Sequence, residues 1–234
     1  ILAQRLPIAE LLELSALEAE ARLFGHAGFL RAAGFDRYSP PTRGYLRKLW
    51  DEWWKERDDD EGALHLPNWR IAGARPGNHP ERRLGALSAI VRRWDQLRVA
   101  FNESPVAIAG LLAELEHPFW STRYTLQSRP APRPISLVGK SRVTEILANV
   151  LFPIALDESV NLWDAFLKLP AQQDNEKLRR AAIRLFGERK DRGSLQKYVY
   201  QQQGLLQIYQ DFCLEDDSGC SGCPFPEQLM DWKG

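Results

Sequence analysis

Apolar positions along the chain recur at three- and four-residue steps, and strict alternation with β-branched residues is scarce, so the hydrophobic pattern predicts a mostly α protein. Residues 8 to 30, rich in Leu and Ala, read as a helix pair broken near Gly25 and Gly28. Beyond the Pro40-Pro41 turn, Leu46, Leu49, Trp50, Trp53 and Trp54 fall on one helical stripe. Core packing is the first reading of these tryptophans, ahead of a stacking platform or partner surface. The acidic run from Asp58 to Glu61 reads as an exposed loop. His79-Pro80-Glu81 opens a further helix, with Pro80 where its missing N–H costs nothing and Asn78 or His79 as cap. Leu84, Leu87, Val91, Trp94 and Phe101 are its expected buried face.

The stretch from Arg129 to Pro134 (RPAPRP) interrupts the helical pattern, because each proline removes a donor and restricts the residue before it. It divides the chain into an N-terminal helical subdomain (1–128), a proline-rich connector (129–136) and a C-terminal helical subdomain (137–234). In the last of these, a helix from about Ser141 aligns Val143, Ile146, Leu147, Val150 and Ile154, with Pro153 expected to kink it. Ser194 is the expected cap of a final long helix whose Leu195, Tyr198, Val199, Leu205, Tyr209 and Phe212 face inward and which delivers Cys213 to a turn. The expected fold is a multi-helix globular bundle with a C-terminal Cys-rich turn.

With 44% hydrophobic residues and 8 Trp in 234 positions, the chain can bury a core in one domain or two small ones. No apolar run approaches the ~20 residues of a membrane span, and no basic-then-apolar leader precedes Ile1, so the expectation is a cytoplasmic protein with no membrane partner. A start at Ile rather than Met leads us to expect a fragment whose function sits partly outside it. The 31 basic and 31 acidic residues cancel, which leaves nucleic-acid binding to a local patch. One exists. From Arg70 to Arg98, seven arginines face only Glu81 and Asp95, a local excess of five positive charges. Arg75, Arg82, Arg83 and Arg93 are the expected phosphate contacts, with Asn78 beside them; Arg82 and Arg93 stand about three helical turns apart. The alternative is an exposed helix face paired with acids elsewhere.

Gly139-Lys140-Ser141 ends like a phosphate-binding loop, but residue 134, where the earlier glycine belongs, is Pro134, so that motif fails. A second anion site at Lys140, Ser141 and Arg142 remains as an expectation, against a plain helix cap. Arg142, Glu145 and Asn149 project opposite the apolar stripe of that helix. No Ser/His/Asp grouping or H-E-x-x-H motif is present, so no catalytic constellation is visible.

The spacing with most chemistry in it is C-x6-C-x2-C: Cys213, Cys220 and Cys223. Two thiolates two residues apart reach one tetrahedral ion from a tight turn, and Ser221-Gly222 supplies the small residues for it. The pattern resembles the first three ligands of the iron–sulfur loop in helix-hairpin-helix DNA glycosylases, whose fourth cysteine would fall at Leu229 here. Zinc with a ligand from afar, an iron–sulfur cluster with a non-cysteine ligand, and thiols that bind nothing all stay open, zinc ahead of the cluster.

The segments LEAEARLFGHAGFL, GARPGNHPERRLGALSAI, PFWSTRYTL, LVGKSRVTEILANVLFPIAL and QQQGLLQIYQDFC, in this order, resemble a bacterial family, domain-of-unknown-function family 2851 (DUF2851). The matching positions include Arg75, Asn78, Arg82, Gly139, Lys140, Ser141, Asn149 and the three cysteines. The resemblance implies that this chain is the helical C-terminal part of longer proteins whose N-terminal region looks like a nuclease, and that metal-dependent cleavage belongs to that region. The expected function is therefore a non-catalytic helical domain that binds or orients DNA or RNA for a nuclease-like region. The competing expectations are a metal-stapled scaffold or protein-interaction domain and a glycosylase-like DNA repair enzyme.

Overall fold

A computed structural model describes residues 2–31, 34–56, 69, 75–158, 162–171, 175–215 and 220–233. Its elements are helical: α1 (Leu2–Arg5), α2 (Ile8–Leu12), α3 (Ala16–His26), α4 (Pro40–Glu56), α5 (Pro80–Arg92), α6 (Trp94–Glu103), α7 (Ala107–Ala113), α8 (Lys140–Ile146), α9 (Phe152–Glu158), α10 (Trp163–Leu167), α11 (Glu176–Phe186), α12 (Val199–Tyr209) and α13 (Phe225–Asp231). Among the described residues, extended pairing is limited to one antiparallel bridge, Pro170 with Tyr198. The mostly α expectation is what the chain adopts. The acidic run Asp58 to Glu61 lies outside the described residues.

The chain divides into two compact units, 1–139 and 140–234. The proline-rich stretch expected as a connector lies inside the first unit, and the boundary falls at the start of α8.

In the first unit, α3 packs on α4 and α5. Ser15 starts α3 with a reciprocal cap: its hydroxyl accepts from the Glu18 amide (3.3 Å) while the Glu18 carboxylate accepts from the Ser15 amide (2.8 Å). The helix ends where Gly28 turns left-handed at φ 78°, with Phe29 N–H on Phe24 O and Gly28 N–H on Gly25 O, both 2.9 Å. Gly25 and Gly85 matter for what lies against them. A Cβ on Gly25 would sit 2.2 Å from Trp53 Cδ2, and one on Gly85 2.1 Å from Trp120 Cδ1, so each glycine is the gap into which an indole packs. The expected tryptophan stripe is split: Trp53 is buried, Trp50 half-buried and Trp54 exposed.

The helix expected to run from Pro80 through Phe101 is two helices. Arg93 leaves helical geometry at φ −111°, ψ 18°, closing α5 and starting α6. At the other end His79, not Asn78, takes the N-cap position, and its side chain makes no cap bond.

In the second unit, α11 packs on α12 around Leu178, Ala181, Ala182 and Leu205. The kink expected at Pro153 appears as a π turn over Leu147–Leu151, in which Phe152 N–H reaches back to Leu147 O. The proline ring and its missing donor oppose the i→i−4 ladder there, and the wider turn absorbs the mismatch. Val150 and Ile154, expected in the buried stripe, are exposed. Ser194 does not cap the last helix: its hydroxyl donates to Asp191 O (2.7 Å), while Tyr198 takes the cap position with its amide on Gln201 Oε1 (3.0 Å).

Candidate functional site

Arg82, placed by sequence among the phosphate contacts, is 2% exposed. Its guanidinium donates to four main-chain carbonyls: those of Trp120 and Arg123 through one nitrogen, and those of Ile135 (3.2 Å) and Ser136 (2.8 Å) through the other. This corrects the surface assignment. The fork geometry of Arg lets one side chain collect acceptors from both ends of residues 120–136, so Arg82 fastens that loop onto α5. Burial draws its pKa below the ordinary value. The expected three-turn face shared by Arg82 and Arg93 does not exist either, since Arg93 is a half-buried junction residue.

The fastened loop is itself cross-tied. Ala131 N–H donates to Thr122 O and Ile135 N–H to Ser121 O, both at 2.7 Å. Ser128 Oγ accepts from the amides of Tyr124 and Thr125, both at 3.1 Å, and donates to Thr125 O (2.9 Å). Arg129 and Arg133, each followed by proline, are exposed on this framework. The Tyr124 ring lies over Arg82, with 5.6 Å from guanidinium carbon to ring centre, yet the residue is 40% exposed. Arg123, in contrast, turns inward over Phe119 at 4.4 Å and is buried. Arg75 and Asn78 are exposed at the start of α5, and Arg83 donates to Asn78 Oδ1 (2.7 Å). From residue 117 to residue 144 the sequence holds no Asp or Glu, and that acid-free run is the sequence signal that points to Arg129 and Arg133.

Beneath this surface runs a buried polar chain that no sequence spacing announces. Glu20 Oε1 accepts from Tyr45 Oη (2.6 Å) and from His117 Nε2 (2.9 Å), and Tyr45 Oη accepts from Trp120 Nε1 (2.8 Å). His117 Nδ1 accepts from the amides of Phe119 and Trp120, both at 3.1 Å, which leaves Nε2 to carry the proton toward Glu20. Burial, and then the Glu20 charge, push the Tyr45 pKa well above the ordinary phenol value. Glu20 and His117 are buried, so the chain is a brace for Trp120 and the loop that follows it.

In the second unit, Ser141 and Asn149 line one cleft of about 310 Å3 with Thr144, Glu145, Asn175 and Gln203. Asn149 is already engaged, donating to Glu145 O (3.0 Å) and accepting from Gln203 Nε2 (3.0 Å). Arg142 pairs with Glu145 one turn along α8, so among the described residues the expected anion site keeps Lys140 as its exposed cation without an ion-pair partner.

The cysteines do not assemble a metal centre. Among the described residues no group of three or more His, Cys, Asp or Glu converges on a point an ion could occupy, and Cys213, Cys220 and Cys223 are free thiols. Cys213 sits in a second π turn, Gln210–Leu214, and Cys220 is exposed in the turn before α13. Among the described residues the donors are not gathered as tetrahedral zinc or a cluster requires.

Fold and site together define a two-unit helical protein with a buried-arginine anchor and a basic, acid-free loop. The chain belongs to the family described as protein of unknown function (DUF2851), whose model matches residues 1–169. That span takes in the first unit and α8 to α10, and stops short of the cysteines. No curated protein and no solved structure matches the chain. Among the described residues no helix is long and apolar enough to cross a membrane.

Proposed function

We propose that the N-terminal unit holds the sugar–phosphate backbone of DNA or RNA, as a non-catalytic part of a larger protein whose nuclease-like region acts on the bound strand. The observation that carries this reading is the Arg82 anchor. It spends a buried cation on main-chain carbonyls and thereby seats the loop bearing exposed Arg129 and Arg133 on the helix that begins behind exposed Arg75. Proline after each loop arginine limits backbone freedom, so less entropy is lost when phosphates are bound. The acid-free run around them makes this stretch of sequence net positive although the whole chain is neutral. Arg75, Arg83, Arg129 and Arg133 are the phosphate contacts, and Arg82 is a positioning residue. The free thiols, one of them exposed, support a reducing, cytoplasmic setting.

Fluorescence anisotropy with short DNA and RNA at two salt concentrations tests the reading. Affinity falls as salt rises, and an Arg129→Gln, Arg133→Gln double variant lowers the salt slope by about 2, roughly one per phosphate contact removed. Binding that is absent, or indifferent to salt, sinks it.

A further inference from the structure

The backbone-binding reading leaves open which form of nucleic acid the surface takes, and Tyr124 bears on that. Its ring has two faces. One is covered by Arg82, which is 2% exposed and therefore lies on the protein side. Tyr124 is 40% exposed, and we assign that exposure to the outer face and edge of the ring. Tyr124 is left open next to arginines while Trp120, Phe119 and Phe24, a few residues or one contact away, are buried. The backbone that carries the ring is held in place, since its own amide and the next are tied to Ser128 Oγ.

The cation beneath has a consequence for what stacks above. A guanidinium under an aromatic ring draws on the π electrons of that ring, so the outer face is less negative than that of a tyrosine without such a neighbour. A second cation is thereby disfavoured on the outer face, and a neutral, electron-rich ring is favoured. Nucleobases are such rings. A paired base inside a duplex has both faces occupied by its neighbours, so only an unpaired base can lie on Tyr124. The loop places this platform five residues before Arg129, on the same cross-tied framework as the two proline-flanked arginines.

Resting on the backbone-binding reading, we infer that the site takes single-stranded nucleic acid, with one base stacked on the outer face of Tyr124 and the flanking phosphates on Arg129 and Arg133. The two parts act on different observables. Stacking contributes affinity that salt does not screen, and the arginines set the salt slope.

The test measures the chain against a short single-stranded oligonucleotide, the same strand annealed to its complement as a blunt duplex, and an acidic peptide of equal charge. The variants are Tyr124→Phe, Tyr124→Leu and Tyr124→Ala, with circular dichroism as the check on folding. The expected result is preference for the single strand and retention of affinity in Tyr124→Phe. In Tyr124→Leu, which still covers Arg82 but offers no π face, single-strand affinity falls about 5- to 150-fold, the worth of one stacked base, at an unchanged salt slope. Salt-sensitive binding that is equal for single strand and duplex and indifferent to Tyr124→Leu overturns the inference while leaving the backbone reading intact. An acidic peptide bound as well as the oligonucleotide also overturns it. No salt-sensitive binding to any probe defeats the backbone reading, and the inference with it.

Discussion

The two units are built from similar helices but differ in what they bury. Every buried polar or charged side chain among the described residues, from Glu20 and His26 through Glu81, Arg82 and Ser88 to His117 and Arg123, belongs to the N-terminal unit. The C-terminal unit gathers Leu178, Ala181, Ala182 and Leu205 and buries no polar side chain among the described residues. A buried donor or acceptor is satisfied only by a partner in a set direction, so Arg82, Glu20 and His117, whose partners lie far along the chain, constrain a loop as well as a helix. Apolar packing sets no such direction. The unit with buried polar groups accordingly holds a long irregular segment, 117–136, in one tied arrangement, while the other tolerates two π turns in its helices.

Removing Arg82 is the strongest way to break this contrast. Arg82→Met fills similar space but leaves four carbonyls without their donor, at a cost on the order of 3–5 kcal/mol. Hydrogen exchange resolved by segment should show protection lost across 117–136 and α5, with α11 and α12 unchanged; equal loss in both units would mean that the anchor is not local. Arg82→Lys does not rescue, because one ammonium cannot serve acceptors spread over both guanidinium nitrogens. Next in size is Gly85→Ala. A methyl 2.1 Å from the Trp120 ring must displace an indole that is fully buried, for about 1–3 kcal/mol by chemical denaturation.

These two residues also mark where the sequence stops being informative. Helical periodicity placed most helices, because an apolar stripe of period 3.6 has one physical solution in water. It missed the break at Arg93, since the apolar spacing of Val91, Trp94 and Leu97 runs on through a residue that has left helical geometry. It misread the proline-rich stretch, because prolines announce the absence of helix and not the absence of packing. Arg82 looks like its neighbour Arg83 in sequence: the same residue type, one position away, half-buried beside Asn78 in one case and fully buried in the other, and only acceptors forty to fifty residues downstream decide which. The brace of Glu20, Tyr45 and His117 is illegible for the same reason, as its members come from α3, α4 and a loop far along the chain. The cysteine spacing is a local pattern, and among the described residues no group of three or more donors gathers around it.

The brace also makes the contrast visible in pH. The Tyr45 phenol is held neutral in the fold by burial and by Glu20, so its pKa there lies well above that of the unfolded chain. Neutral Tyr45 is the form the fold prefers. Its contribution is fully present below about pH 10, where the unfolded phenol is also neutral, and is lost as pH rises from there toward the folded pKa, at about 1.4 kcal/mol per pH unit. Tyr45→Phe begins less stable at neutral pH, having lost its bonds to Glu20 and Trp120, but declines less steeply above pH 10 by that one group. Parallel declines in the two proteins would show that Tyr45 is not held as the geometry has it.

The smallest expected effect has the opposite sign and belongs to the other unit. Gly204 lies inside α12, and among the described residues a Cβ there meets nothing within 4 Å. Gly204→Ala therefore adds no clash and removes the backbone freedom that glycine keeps in the unfolded chain, for a gain of about 0.5–1 kcal/mol. The same substitution is thus destabilising at Gly85 and stabilising at Gly204, two helical glycines that differ only in what surrounds them. Denaturation midpoints of the two single variants decide it. If Gly204→Ala loses stability, something packs on α12 that the C-terminal unit as drawn does not supply, and the exposed face of that helix is an interface rather than a solvated surface.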